Sequence, residues 1–226
     1  MSIKLKRWKD YFSILLSGFF FDKLVFLNKE NYKKFNYINN KKKKIIENSA
    51  NDFLLKKKIF KKKKYFIIGI SGRINNLKNH QIVLELLNKY PYFQKKIKIY
   101  IAGSGENKIN LLKIINKYNL KNNIKFCGAL DEQKLKEWFG QIDLYLHPSF
   151  GEAMSSSILQ AMSSNTPILA SNVNGINNLI GKKKYLGVLF ENEINDLKNK
   201  INYFINLNKN EFKKFQKVQR DYFLKK

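Results

Sequence analysis

From Tyr65 onward, short apolar runs alternate with stretches in which apolar residues recur every three or four positions. A short apolar run between turn signals reads as a buried strand, and the 3.6-residue recurrence reads as an amphipathic helix. "YFIIGISG" at 65–72 is thus a predicted strand, followed by a helix over "NHQIVLELLNKY" with Ile82, Val83, Leu86, Leu87 and Tyr90 on one face. "IKIYIAG" is the next strand and "KINLLKIINKY" the next helix, with Leu111, Leu112, Ile115 and Tyr118 inward. Then come strand "NIKFCG", helix "DEQKLKEWFG" capped by Asp131, strand "IDLYLHPS", a helix from about Ala153 to Ser163, and strand "TPILAS". A short helix "GINNLIG", the strand "LGVLF" and a helix with Ile194, Leu197, Ile201 and Phe204 on one face complete the series. Such strict alternation predicts an α/β fold, a Rossmann-like doubly wound parallel sheet.

Both ends depart from the pattern. A last amphipathic helix, with Phe212, Phe215, Val218 and Tyr222 on one side, needs a surface to cover its stripe. Residues 1–60 read as an appendage of basic loops around one helix and one strand, too little for a core of their own. Three parts are therefore expected: the appendage at 1–60, a ligand-binding sheet domain at 61–208 and the terminal helix at 209–226. Near the start, basic residues precede the apolar run Tyr11–Phe21. That run is well short of the roughly twenty residues that span a bilayer, and no small-residue cleavage site follows it. A buried helix leading into a strand is expected, with a signal anchor or interfacial membrane helix as the alternative.

Composition narrows the function classes. The chain has 226 residues, 44% of them hydrophobic, and a formal charge of +27, so it is expected to be globular with a substantial core. Its basic residues include only three arginines, Arg7, Arg73 and Arg220. Nucleic-acid readers draw on the bidentate arginine fork, so no specific nucleic-acid partner is expected and the lysines read as a solvated surface. The lysine runs at 41–44 and 61–64 look like linkers that can also attract an anionic membrane face. Cys127 is the single cysteine, which excludes an intramolecular disulfide and suits a reducing cytoplasm; in its strand-like run it reads as a small buried thiol. His80 and His147 form no metal-ligand spacing, and no metal is expected.

In an open parallel sheet the ligand lies at the carboxyl ends of the strands, against helix N-termini. Four segments meet there: Ser71–Lys78, Gly103–Glu106, Gly128–Asp131 and Pro148–Ser156. The first offers Arg73 and Lys78, which suit a two-phosphate clamp and equally an ordinary surface lysine beside a structural arginine. Gly103 and Gly105 follow a strand, but Lys108 stands where a dinucleotide fingerprint has its third glycine, so a tight turn is the better reading. No lysine occurs from Glu137 to Gly181; burial in the middle of the sheet explains most of that gap. Within it, Gly151, Ala153 and Ser155–Ser157 leave backbone amides open to an anion. Glu152 sits beside them, either capping the helix or binding a sugar hydroxyl.

Taken together, "GRINNLKN", "IAGSGE", "IKFCGAL" and "LYLHPSFGEAMSSSILQAMSSNTPILASNVNG" resemble the donor-binding C-terminal half of the retaining GT-B glycosyltransferases of family 4, over about Leu24 to Lys217. The resemblance implies a hexosyltransferase that uses a nucleotide-sugar donor, without metal or other cofactor, toward a glycan or lipid-linked acceptor in cell-surface polysaccharide synthesis. It implies that Arg73 and Lys78 neutralise the diphosphate and that Glu152 holds donor-sugar hydroxyls. Gly72, Gly103, Phe150, Gly151, Ala153, Met154 and Ser155 would meet sugar and phosphate, and Ala129 and Leu130 the base. The family's second glutamate is replaced by Gln160, eight residues on, a helical span of about 12 Å along which a nucleotide can lie; weaker ribose binding follows. Residues 1–60 match only the last helix and strand of the family's N-terminal domain and its hinge. The chain would then be a fragment, a remnant, or one half of a split enzyme whose other half is a separate chain, and the terminal helix would pack across onto the missing half, leaving an apolar stripe exposed here. A cytoplasmic location is implied, with peripheral contact at the inner membrane face. The alternative is a non-catalytic module, left from a truncated glycosyltransferase, that binds nucleotide or a partner.

Overall fold

Every strand and helix expected beyond Tyr65 is present in the computed structural model, which describes residues 13, 16, 20–27, 29–54, 64–181 and 183–225. The contacts divide the chain into two units, 1–48 and 49–226.

In the first unit β1 (Leu24–Phe26) pairs in parallel with β2 (Lys43–Ile45), and α1 (Lys29–Lys34) connects them through a short turn. Phe26 is buried, stacked on Phe35 at 5.6 Å and edge-on to Tyr32 at 5.9 Å. The run at 41–44 is not a linker. Lys43 is buried in β2, where its ammonium donates to the Phe35 carbonyl at 3.0 Å and lies 4.3 Å from the centre of the Tyr32 ring. Of the second lysine run only Lys64 lies among the described residues. The helix expected near Tyr11–Phe21 is described only at Ser13, Leu16 and Phe20; these are helical but exposed rather than buried.

The second unit carries β3 (Phe66–Ser71), α2 (Gln81–Lys89), β4 (Ile97–Ala102), α3 (Lys108–Lys117), β5 (Ile124–Gly128), α4 (Glu132–Gln141) and β6 (Leu144–His147). It continues with α5 (Ser156–Ser163), β7 (Ile168–Ser171), α6 (Asn174–Ile180), β8 (Val188–Phe190), α7 (Ile194–Ile205) and α8 (Lys209–Leu224). The six strands are all parallel, in the order β5-β4-β3-β6-β7-β8. Strand order reverses between β3 and β6, and at such a switch point the loops leave in opposite directions and open a crevice. Aliphatic side chains on one face of the sheet, among them Ile68, Ile99, Leu144 and Leu169, form the core with α2, α3 and α7. Packing is close enough that a Cβ on Gly69 would meet Ile142 at 2.4 Å and Trp138 at 2.7 Å. Asp131 caps α4 by accepting from the Lys134 amide at 2.8 Å.

Three expectations are corrected. The apolar stripe of α8 is not exposed: Phe212 and Phe215 are buried, with Phe215 5.1 Å from Tyr185 and 5.4 Å from Phe204, and α8 packs along α5. Cys127 is half-buried rather than buried, and burial raises its thiol pKa. The helix expected from Ala153 starts at Ser156, because Ser155 is extended at φ −93°, ψ 111°. Among the described residues no helix is long and apolar enough to cross a membrane.

The segment entering the sheet domain is fastened to the back of α5. The Phe53 amide donates to Ser163 Oγ at 3.1 Å, and the Phe53 ring lies 5.8 Å from that of Phe139. From α8, Arg220 forks onto both Asp52 oxygens at 2.6 Å and donates to the Ser163 carbonyl at 3.0 Å.

Candidate functional site

A cleft of about 840 Å³ opens at the switch point, over the carboxyl ends of β3, β4, β5 and β6. Its floor depends on two strand-end loops lying directly against each other. Gly103 has φ +141°, and a Cβ there would sit 1.9 Å from the Gly72 carbonyl oxygen. Only glycine permits that backbone and that approach. One cleft thereby gathers Gly72, Arg73, Lys78, Gly103, Ala129, Leu130, Glu152, Met154, Ser155 and Gln160. Phe150 instead lines a neighbouring cleft of about 590 Å³; Gly151 and Ala153 line neither. Leu135, from α4, also lines the cleft and was not anticipated.

The two cations differ in setting. Arg73 is exposed and pairs through Nε with Glu106 at 3.3 Å, an arrangement open to water on both sides and of little energetic weight. Lys78 and Glu152 are only 22% and 17% exposed and are hydrogen-bonded to each other. Glu152 does not cap α5. It lies on the extended approach to that helix, so the run from Glu152 to Gln160 is not eight residues of continuous helix. The same Glu152 oxygen, Oε2, also receives His147 Nε2 at 3.2 Å. His147 was expected only to lack metal partners, and its place under Glu152 was missed. It closes β6 two residues after Tyr145, so both rings lie on one face of the strand. Tyr145 Oη meets His147 Nδ1 at 3.2 Å and accepts from Ser71 Oγ at 3.2 Å.

Burial opposes charge on Glu152, but the hydrogen bonds from His147 and Lys78, with the charge of Lys78, outweigh it and bring its pKa down to about 2. Burial lowers His147 against the pull of Glu152, so its ring is neutral at physiological pH. Burial also pushes Tyr145 up to about 12. The loop carrying Glu152 is seated on α6. A Cβ on Gly175 would lie 2.0 Å from the Glu152 carbonyl oxygen and 2.5 Å from that of Ala153. Among the described residues no group of three or more His, Cys, Asp or Glu side chains is placed to hold a metal ion.

The sequence pattern of the family described as glycosyl transferases group 1 matches residues 51–221. The chain belongs to that family. Protein CapJ of Staphylococcus aureus is 30% identical over 118 residues, covering 51% of this chain and 30% of CapJ. The O-antigen biosynthesis glycosyltransferase WclY of Escherichia coli is 29% identical over 162 residues, covering 68% of this chain and 44% of WclY. The matches thus span less than half the length of these relatives. The crystal structure of Anabaena HepE in complex with UDP and glucose superposes with a TM-score of 0.80 at 19% identity, over 95% of this chain and 61% of HepE. As a member of that family, the chain has the Rossmann-like sheet of the GT-B fold.

Proposed function

We propose that this group 1 glycosyltransferase chain is the donor-binding half of a retaining family 4 hexosyltransferase acting in cell-surface polysaccharide synthesis. A nucleotide-sugar is the donor and a glycan or lipid-linked sugar the acceptor. The observation that carries this reading is the Lys78–Glu152 pair at the switch point, an ammonium and an ionised carboxylate sharing one cleft with Arg73. The name of WclY, an O-antigen biosynthesis glycosyltransferase, favours the polysaccharide role.

In this reading the donor's diphosphate displaces Glu106 from Arg73 and shares Lys78 with Glu152, so its charge is met by side chains and by the amides opening α5, without a cation. Glu152, acceptor-only when ionised, takes hydrogen bonds from the sugar hydroxyls. Gln160 faces the ribose, and Ala129 and Leu130 the base. The acceptor wall comes from a second domain, on a separate chain or on a longer form of this one, because excluding water from the transfer needs a closed cleft. In this reading the chain works in the cytoplasm, with peripheral contact at the inner membrane face.

Calorimetry of UDP, GDP and ADP and their sugar conjugates with the purified chain tests this. One nucleotide series binds, the sugar adds affinity, and Arg73→Ala weakens binding at least ten-fold. A folded chain that binds nucleotide with no gain from the sugar indicates a nucleotide-binding module instead, and one that binds none overturns the donor-site reading.

A further inference from the structure

We infer that Tyr145 and His147 form a buried hydrogen-bond chain, running from Ser71 to Glu152, whose work is to position the Glu152 carboxylate for a ligand. The inference rests on the reading of Glu152 as the donor-sugar contact. Tyr145 and His147 are fully buried and Ser71 nearly so, in the strands on either side of the switch point. A polar chain at the end of a buried sheet is retained only if each member is satisfied.

Its direction follows from its terminus. Ionised Glu152 only accepts, so His147 Nε2 carries the proton across the 3.2 Å contact. Neutral His147 then has a bare Nδ1, and Tyr145 must donate to it at 3.2 Å. The Tyr145 oxygen in turn accepts from Ser71 Oγ at 3.2 Å. Tyr145 Oη also lies 3.4 Å from the Ser71 carbonyl, a competing acceptor for its proton; when that proton goes to His147 at the shorter 3.2 Å, the imidazole plane is held at both nitrogens. Both Lys78 and His147 bind Oε2 of Glu152. Oε1 is the oxygen that neither of these two groups takes, and it is the one offered to the ligand. Tyr145 and His147 are therefore positioning residues and touch no substrate. The titratable groups bearing on the ring among the described residues are Tyr145 from its own strand, Glu152 and Lys78 from the cleft loops, and the buried His80 at the start of α2.

Carboxylate ¹³C and histidine ¹⁵N NMR of the full chain read this chain of bonds without any ligand. Wild type should show His147 as a neutral Nε2–H tautomer and Glu152 ionised down to about pH 2. Tyr145→Phe, a change that does not touch Glu152, should move the Glu152 midpoint upward and shift the His147 Nδ1 resonance. His147→Leu should raise the midpoint further, and His147→Gln, which keeps a donor, should restore part of the difference. The affinity gained by adding glucose to UDP should fall at least ten-fold in Tyr145→Phe, with UDP alone unchanged within two-fold. Should Tyr145→Phe not fold, Ser71→Ala, which removes only the outer hydroxyl, is read the same way. An Nδ1–H tautomer in wild type, or a Glu152 midpoint unmoved in folded variants, overturns the inference. A wild type with the expected spectra that binds no nucleotide-sugar overturns the donor-site reading and leaves the chain of bonds standing.

Discussion

Replacing Glu152 with glutamine removes one negative charge and almost no volume, which isolates what that charge contributes. In the folded chain the carboxyl pKa falls from an ordinary 4.5 to about 2. At about 1.4 kcal/mol per unit, the ionised form is stabilised by about 3 kcal/mol relative to the unfolded chain. The side chain is 17% exposed, so solvent screening takes little from that figure. Because the folded pKa is depressed, the contribution is complete above about pH 4.5 and is lost as pH falls toward about 2. By about pH 3.5 roughly 40% of it is gone. Guanidinium unfolding of wild type and Glu152→Gln, followed by circular dichroism at several pH values, is the assay; the denaturant also screens the +27 charge. Glu152→Gln should be less stable by about 3 kcal/mol at pH 7, and the gap should narrow steadily below pH 4.5. A gap under about 1 kcal/mol at pH 7, or one that stays constant as pH falls, refutes the electrostatic account.

Three further outcomes are expected. Gly175→Ala should weaken nucleotide-sugar binding at least ten-fold and cost about 1–3 kcal/mol in stability, since its Cβ would meet the Glu152 carbonyl oxygen at 2.0 Å; unchanged affinity by calorimetry counts against the seat assigned to that loop. Gln160→Glu should tighten nucleotide binding about five-fold, equivalent to about 1 kcal/mol for a charged acceptor facing a ribose; equal affinities would refute that contact. Arg220→Met should destabilise the chain by about 2 kcal/mol in urea, discounted because Asp52 is half-exposed. The Arg220 hydrogen bond leads in lowering the Asp52 pKa, so that difference should shrink as pH falls below the ordinary carboxylate range; a loss below about 0.5 kcal/mol would show the fork to be idle.

The sheet was legible because its strands are buried on both faces and its helices on one, so each element announces its period without help from the rest of the fold. The site was legible in part for the same reason: a strand followed by polar and small residues marks a strand end, and Arg73, Lys78 and Glu152 all follow strands. What escaped depends on tertiary proximity. Ala153 and Ser155 suit an extended approach as well as a helix start, and only the seating on Gly175 decides between them. The His147 contact with Glu152 spans five residues, but its support comes from Ser71, 74 residues before Tyr145. One clue was available: Tyr145 and His147, two apart, interrupt an otherwise apolar buried strand on a single face. The burial of Phe212 and Phe215 was misjudged because a stripe shows that a helix needs cover and not which surface supplies it.

The Arg220–Asp52 fork, 168 residues apart along the chain, joins the entry segment to the rear of α5, where Ser163 also grips Phe53. The front of that helix lines the cleft. Eight helical residues make a rod about 12 Å long, stiff on this scale. A displacement imposed on the entry segment at Asp52 and Phe53 is therefore carried along that rod to Ser155–Ser157 at the cleft. The entry segment and the cleft sit at opposite ends of one short helix.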